Sequence, residues 1–512
     1  MIAVIKSCGV TGIDGYIVEV EADMQSGMPG FDIVGLPDIA IRESKERVKS
    51  AIANCGFRFP SKKTTINLAP AHIKKIGAFY DLPISIGILK ASEQISCPTD
   101  DYLFVGELSL GGDLRSVNGA LSMALTAREQ GIKNIILPKC NCNEAVAVEG
   151  VNVYGAENLK QIIDHLCGVQ MLEKAVYQEE ETEGMNQYTL DFSDVMGQEM
   201  AKQALIIAAA GGHSCLMIGP PGSGKTMLAQ RLPTILPPME MDEAIETTKI
   251  HSVAGVMGQH ASLIKTRPFR NPHHTSSAIC LTGGGSLPKP GELSLAHNGV
   301  LFLDEFPEFR KDALEAMRQP LEDGKVTVSR VNSTAVFPCN VMLIAAMNPC
   351  YCGYYGSNVK QCTCQASQIH RYLSKISGPI LDRIDMQIEV SALKYSDLNA
   401  TQKGESSESI RKRVAAARAI QKERYQDHGI HCNAQLKPKM MKDFCALGET
   451  EKAMMKNIFE RLALSARAHD KILKVARTIA DMEQSQTIGV QHIAQAVMYR
   501  SLDKRYRDVE KY

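Results

Sequence analysis

Tryptophan is absent from the 512-residue chain, and Phe and Tyr hold the aromatic share at 5%. That scarcity argues against a ring-lined platform for sugars or unpaired bases. Neither charge is in excess, because 57 Lys and Arg balance 57 Asp and Glu. No global basic field marks the chain as a nucleic-acid binder, so any such contact must come from a local patch. Long apolar runs are missing too. A membrane helix needs about 20 mostly apolar residues, and the two charge-free stretches of that length are both interrupted. Residues 204–224 contain five glycines and two prolines, and residues 331–359 contain four asparagines and two prolines. The opening MIAVIKSCGVTGIDGY lacks a basic region followed by a sustained apolar core, so no secretory signal is expected. These absences predict a cytoplasmic protein with no membrane partner.

Hydrophobic residues at 44% and charged residues at 22% suit a folded chain, and its length suggests about three domains. Fifteen cysteines, an odd number scattered through a long chain, do not read as a disulfide framework. Most are expected to be small buried apolar side chains.

Residues 1–172 mix short β-branched runs (Tyr16 to Val20, Asn134 to Leu137) with helical patterns (Ile41 to Asn54, Leu121 to Gln130). Residues 173–189 turn acidic, with Glu179, Glu180, Glu181 and Glu183 close together, and read as a solvated linker. From 190 to 392 short apolar runs alternate with longer helical patterns, as in a parallel sheet with crossover helices. Strand signals vanish after Ser391. Residues 393–512 read as a helical lid, with periodicity over Ser409 to Arg424, Lys452 to Leu464, Asp470 to Met482 and Val490 to Ser501. The fold class is α/β.

Cys215 to Ile218 is a buried-strand pattern that runs into Gly219-Pro220-Pro221-Gly222-Ser223-Gly224-Lys225-Thr226, and a helical pattern follows. This is a phosphate loop in its required strand–loop–helix setting. Backbone N–H groups would close around phosphate oxygens, Lys225 would reach the β and γ phosphates, and the Thr226 hydroxyl would coordinate Mg²⁺. A second apolar strand, Gly299 to Leu303, ends in Asp304 and Glu305. There Asp304 would hold Mg²⁺ through water and Glu305 would polarise the attacking water. A third, Val341 to Ala346, ends at Asn348, placed to orient water or sense the γ phosphate. The expected cofactors are ATP and Mg²⁺, and the expected activity is ATP hydrolysis.

Upstream, Asp194-x-x-Gly197-Gln198 resembles the adenine-side segment of AAA+ ATPases. Room for an insertion around Arg267 to Thr275, in helix 2 of such a core, and an alternating hairpin pattern from Gly324 to Phe337 resemble the clade of magnesium chelatase motors and MCM helicases. A helix from Glu308 to Gln319 is expected ahead of that hairpin. Asn271 to Ser277, Pro290 to Glu305 and Ser377 to Asp385 resemble the YifB/ComM family of magnesium-chelatase-like proteins, essentially end to end. The resemblance implies a homo-hexameric ring with ATP-driven helicase activity on branched DNA. It implies an arginine finger at Arg383, reaching the neighbouring subunit's γ phosphate, and the lid arginine called sensor 2 at Arg467. Pore-lining DNA contacts are expected from Lys265, Arg267 and Arg270 and from the hairpin's Lys325 and Arg330. His273 and His274 are expected to form a polar cap against the next subunit.

In the N-terminal part, Gly106 to Gly119 and Gly131 to Pro138 resemble the Lon proteolytic domain, of ribosomal S5 domain 2-like fold, and Ala71 to Pro83 resembles the related domain of RadA. Lon chemistry needs a serine activated by a lysine. Those positions fall at about Phe79 and Leu121, so the resemblance implies the fold without the protease. Cys350, Cys352, Cys362 and Cys364, spaced C-x-C-x₉-C-x-C, leave three readings open: a structural zinc site, reduced structural thiols or a redox switch. Two functions compete for the whole chain. One is a DNA motor for branch migration; the other is a protein-remodelling motor of the magnesium chelatase type. A Lon-like protease ranks behind both.

Overall fold

The computed structural model describes residues 2–177, 190–258, 262–285, 288–330, 333–357, 360–392, 404–462 and 464–500. The acidic cluster Glu179 to Glu183, the hairpin tip Val331-Asn332 and the ends of the expected lid lie outside the described residues.

The N-terminal part is built on a seven-stranded sheet. Its order is Gly30–Val34, Lys63–Ala69, Asp14–Gln25, Ile2–Thr11, Tyr102–Phe104, Asn134–Pro138 and Asn152–Ala156. The first hairpin is antiparallel with Lys6 opposite Glu19, whereas Tyr102–Phe104 onward runs parallel. Alternate residues of Asn134–Pro138 enter different cores, Ile136 one and Ile135 and Leu137 the other. Helices therefore cover both faces, Ile39–Asn54 and Asp81–Ala91 on one side and Ala120–Glu129 on the other.

A second, all-parallel sheet has the order Phe269–Arg270, Val300–Leu303, Met342–Met347, Cys215–Ile218, Met386–Glu389. Every residue of Cys215–Ile218, Val300–Leu303 and Met342–Met347 is buried, as a sheet covered on both faces requires. Ile218 is opposite Met347, and Leu303 is opposite Ala345. The register thus brings the phosphate loop, Asp304 and Asn348 to one carboxyl edge, where open α/β sheets bind ligands.

Two local expectations are corrected. The helix expected from Glu308 to Gln319 is two short ones, Lys311–Ala316 and Arg318–Asp323. Pro320 has no N–H to bond Ala316, so it is accommodated only in the first turn of a new helix. The segment around Arg267 is no projecting insertion, because Phe269–Arg270 is the sheet's edge strand beside Val300–Leu301. The interruption lies farther on, where the ribbon Gly283–Gly284/Lys289–Pro290 separates helices Ala278–Thr282 and Glu292–Leu295. The hairpin does form, Lys325–Arg330 against Ser333–Pro338.

Beyond residue 403 only helices follow among the described residues. They include Ser407–Tyr425, Glu449–Leu462, Ala466–Met482 and Val490–Met498. Ala417, Ile472 and Ile479 share one core with Ala204 and Leu205 of Glu199–Gly211. Asp385, at the root of the last sheet strand, meets Lys471 at 3.1 Å and His213 at 3.4 Å.

Helix Met241–Ala254 joins the sheet-bearing halves. Lys249 pairs with Asp14 at 2.7 Å, and the Ser252 hydroxyl donates to Glu144 and accepts the Gly119 N–H at 2.9 Å. Burial raises the Glu144 carboxyl above its ordinary value, opposed by the Ser252 and Asn141 hydrogen bonds. Ile13 is buried in the core around Leu301, and Leu263 in the core around Leu103. None of the fifteen cysteines forms a disulfide, and no described helix is long and apolar enough to cross a membrane.

Candidate nucleotide site

The loop after Cys215–Ile218 turns tightly enough to need glycine. Gly222 and Gly224 lie at φ +74° and +88°, in the left-handed region. A Cβ on Gly219 would come 2.2 Å from the Val390 carbonyl. Helix Lys225–Ile235 begins at once, so its unpaired N–H groups and positive end face the loop.

The Lys225 side chain lies under this loop. Its Nζ donates to the carbonyls of Gly219 (2.8 Å) and Pro220 (2.9 Å) and to Asn348 Oδ1 (3.2 Å). Burial lowers its pKa to about 8, against the opposing pull of Asp304. The Thr226 hydroxyl donates to Asp304 Oδ2 at 2.6 Å, and the other carboxylate oxygen accepts the Glu305 N–H. A hydroxyl and a carboxylate in contact beside an ammonium are the donor set a Mg²⁺–phosphate pair takes.

Glu305 sits at φ +51°, which costs a non-glycine residue about 1 kcal/mol and aims its side chain off the strand end. Its carboxylate meets His274 Nδ1 at 3.0 Å. The His274 ring lies tilted against His273, 4.2 Å between centroids, and His273 is itself bonded to Thr275. Within the chain, the polar cap expected at His273 and His274 engages the strand-end acid. Gln198, also at positive φ, bonds the Ser223 and Ser391 carbonyls and ties the loop to the last strand.

Three family profiles cover the chain. They are magnesium chelatase, subunit ChlI, over residues 191–398; subunit ChlI of Mg-chelatase, over 20–141; and magnesium chelatase, subunit ChlI C-terminal, over 404–500. The competence protein ComM of Haemophilus influenzae is 43% identical over 98% of this chain and 98% of its own length. The chain belongs to the YifB/ComM family of magnesium-chelatase-like proteins. Its relatives in that family include the uncharacterized protein YifB of Escherichia coli, 41% identical over 100% of this chain and 99% of its own. Likeness to the magnesium-chelatase 67 kDa subunit of Chlorobaculum parvum is confined to 162 residues, at 26% identity, covering 31% of this chain and 23% of that subunit. Family membership and the five-stranded parallel sheet make the central unit an AAA+ fold of magnesium-chelatase type.

In this YifB/ComM chain Arg383 and Arg467 meet at one carboxylate. Arg383 is ion-paired to Glu322 and donates to the Pro379 carbonyl at 2.8 Å, and Arg467 lies 3.9 Å from Glu322. Both line an open cleft of about 610 Å³ together with Lys471 and Glu243, and among the described residues no phosphate-loop residue borders it.

The cations expected on DNA divide. Arg267 donates to Glu243 at 2.8 Å and to the Pro237 and Asn298 carbonyls, so it braces the sheet edge instead of facing outward. Arg270 forms a two-pronged pair with Glu292 at 2.6 and 2.8 Å. Lys265 lies over the Tyr177 ring at 5.7 Å. Lys325 is exposed at the foot of the hairpin, and Arg330 ends its first strand, opposite Ser333. In the N-terminal part Phe79 and Leu121 pack into the same apolar core, so no serine–lysine pair stands at those positions.

Proposed function

We propose that the chain is a cytoplasmic, ATP-driven DNA motor that assembles as a ring, with branched recombination intermediates as substrate. The observation that carries the ATPase reading is the convergence of Lys225, Thr226, Asp304 and Asn348 within hydrogen-bond reach at one sheet edge. Lys225 would neutralise charge on the β and γ phosphates, and Thr226 and Asp304 would hold Mg²⁺, whose role is to polarise the phosphoryl oxygens. Glu305 takes the proton of a water as its oxygen attacks the γ phosphorus; the bond to the bridging oxygen breaks, leaving ADP and phosphate. Asn348 would orient that water. Arg383 and Arg467 reach a neighbouring copy's phosphates in this reading, which is supported by a cleft that holds both and no part of their own loop. The same reading takes the ring as a homo-hexamer, which family membership supports.

Support for DNA comes from the full-length relationship to a competence protein and from Lys325, exposed at the foot of the hairpin whose first strand ends at Arg330. Arg267 and Arg270 drop out of the DNA surface, because their charge is already matched inside the fold. The N-terminal part, Lon-like with Phe79 and Leu121 in place of the catalytic pair, is assigned a DNA- or partner-binding role. Boundaries at 172, 189 and 392 are part of the same reading.

Steady-state ATP turnover of the purified chain tests it, alone and with single-stranded, duplex or four-way-junction DNA. Turnover is expected to rise most with the junction, and Glu305→Gln is expected to bind ATP without turning it over. Indifference to all three DNAs would move the assignment to protein remodelling.

A pH dependence follows from Lys225. An ammonium whose pKa is about 8 is charged below that pH and neutral above it. Nucleotide affinity is therefore expected to fall as pH rises through 8, with proton uptake on binding there. Lys225→Arg, which keeps its charge, should flatten the decline in a fluorescent-nucleotide titration, and Lys225→Ala should abolish binding. An unchanged slope in the arginine variant removes Lys225 from the phosphate.

A further inference from the structure

Immediately after Asn348 the chain folds into a small knuckle that the nucleotide chemistry does not use. Its four cysteine sulfurs all lie within 4.8 Å of one another. Cys350 Sγ is 3.4 Å from Cys352 Sγ and 3.7 Å from Cys362 Sγ, and the Cys352–Cys362 separation is 3.5 Å. A disulfide would require about 2.05 Å. Four thiolates about 2.3 Å from a central zinc stand about 3.8 Å apart at the corners of a tetrahedron, close to the spacing observed. The Cys352 N–H points at Cys364 Sγ at 3.4 Å, the polarity a metal-bound thiolate favours. Gly353 supplies the turn at φ +83°.

The knuckle is fastened to both sides of the nucleotide site. A Cβ on Gly353 would come 2.4 Å from Pro221 Cδ, so its backbone packs directly against the phosphate loop. Tyr351 stacks edge-on to Tyr372 at 4.8 Å, and Lys375 lies over both rings while pairing with Glu308 at 2.8 Å. The Glu308 N–H bonds the Glu305 carbonyl at 2.7 Å. Cys350 is also only two residues from Asn348.

We propose that Cys350, Cys352, Cys362 and Cys364 bind one structural zinc ion, and that the loaded knuckle holds the Pro221 loop and the Glu305 turn at their working separation. Soft thiolates in a tetrahedral S₄ set select zinc among hard and borderline divalent cations. Each thiol gives up its proton to solvent as it ligates, with no change of oxidation state. Closed four-sulfur coordination leaves no position for water, so the ion is structural and takes no part in hydrolysis. The positioning role rests on the ATP-site reading; the metal site does not.

The test uses the full chain purified without added metal. Metal analysis is expected to give about one zinc per chain, and cobalt exchange should give the absorption of a tetrahedral four-thiolate site. Cys362→Ser is expected to lose the zinc, whereas Lys225→Ala keeps it. Because Cys362→Ser can fail to fold, zinc is also stripped from the wild type with a thiol-blocking mercurial and chelator, then restored with reductant and zinc. Stripping is expected to weaken nucleotide binding about tenfold, reversibly. Four titratable thiols without metal, a Cys350–Cys352 disulfide or stoichiometric iron would each overturn the site. Zinc that comes and goes with no change in nucleotide affinity would overturn its positioning role. A wild type that holds zinc but binds no ATP would instead sink the ATP reading and leave the metal site standing.

Discussion

Replacing Arg383 with alanine is expected to lower ATP turnover about a thousandfold, because a fixed cation at the γ phosphate stabilises charge spread over the transferring oxygens. Affinity for ATP should change by less than about threefold, or under 1 kcal/mol, since in the proposed mechanism Lys225 and the loop would make the ground-state contacts. The guanidinium is engaged elsewhere in its own chain. It is held by Glu322 and the Pro379 carbonyl, beside Arg467, in a cleft that no described phosphate-loop residue borders. The decisive form of the experiment mixes two inactive variants. Arg383→Ala retains an intact loop, and Lys225→Ala retains an intact arginine. In a mixed assembly some interfaces join the two intact parts, so turnover should reappear on mixing and peak near equal amounts. If turnover stays at the level of the separate variants, Arg383 does not act across an interface.

The second large effect is on stability. Asp385→Ala is expected to cost about 3–5 kcal/mol, because it strands a buried ammonium. Asp385 is buried with Lys471 at 3.1 Å and His213 at 3.4 Å, and it accepts the Ser214 N–H at 3.2 Å. Burial alone would raise its pKa; the Lys471 charge and the His213 hydrogen bond outweigh that and hold it far below the usual carboxylate range. Lys471 is itself pushed down to about 8 by burial, partly restored by Asp385. A depressed carboxyl stabilises the fold fully above its unfolded-chain value of about 4, and that contribution is lost as pH falls below it. Urea unfolding followed by helical signal should show a lower midpoint for Asp385→Ala at pH 7, and a smaller difference near pH 3. An equal difference at both would show that the ion pairs are not its source.

The sequence makes the phosphate loop legible because everything that defines it is local. A buried strand, glycines at fixed spacing and a helix start fall within a dozen residues. Asp304, Glu305 and Asn348 follow from the same logic at two other strand ends, and parallel register gathers them. Arg267 and Arg270 mislead for the opposite reason. Their partners Glu243 and Glu292 lie 24 and 22 residues away, so a basic cluster that reads as a surface patch is internally neutralised. The insertion is misplaced because a two-residue edge strand, Phe269–Arg270, carries too little pattern to be recognised. His274 beside Glu305 and the sharing of Glu322 by Arg383 and Arg467 join distant segments, and no periodicity marks them.

Ile13 and Leu263 are exchanged between the two halves of the molecule, each seated in the other's apolar core, with Lys249–Asp14 and Ser252–Glu144 locking the seam. Two pegs in opposite sockets resist sliding and twisting alike. The N-terminal half is thus keyed to the ATPase unit as a tool head is keyed to a shaft. A stroke driven by nucleotide would be passed through these contacts to that half, and a grip on DNA or a partner there would feel it directly.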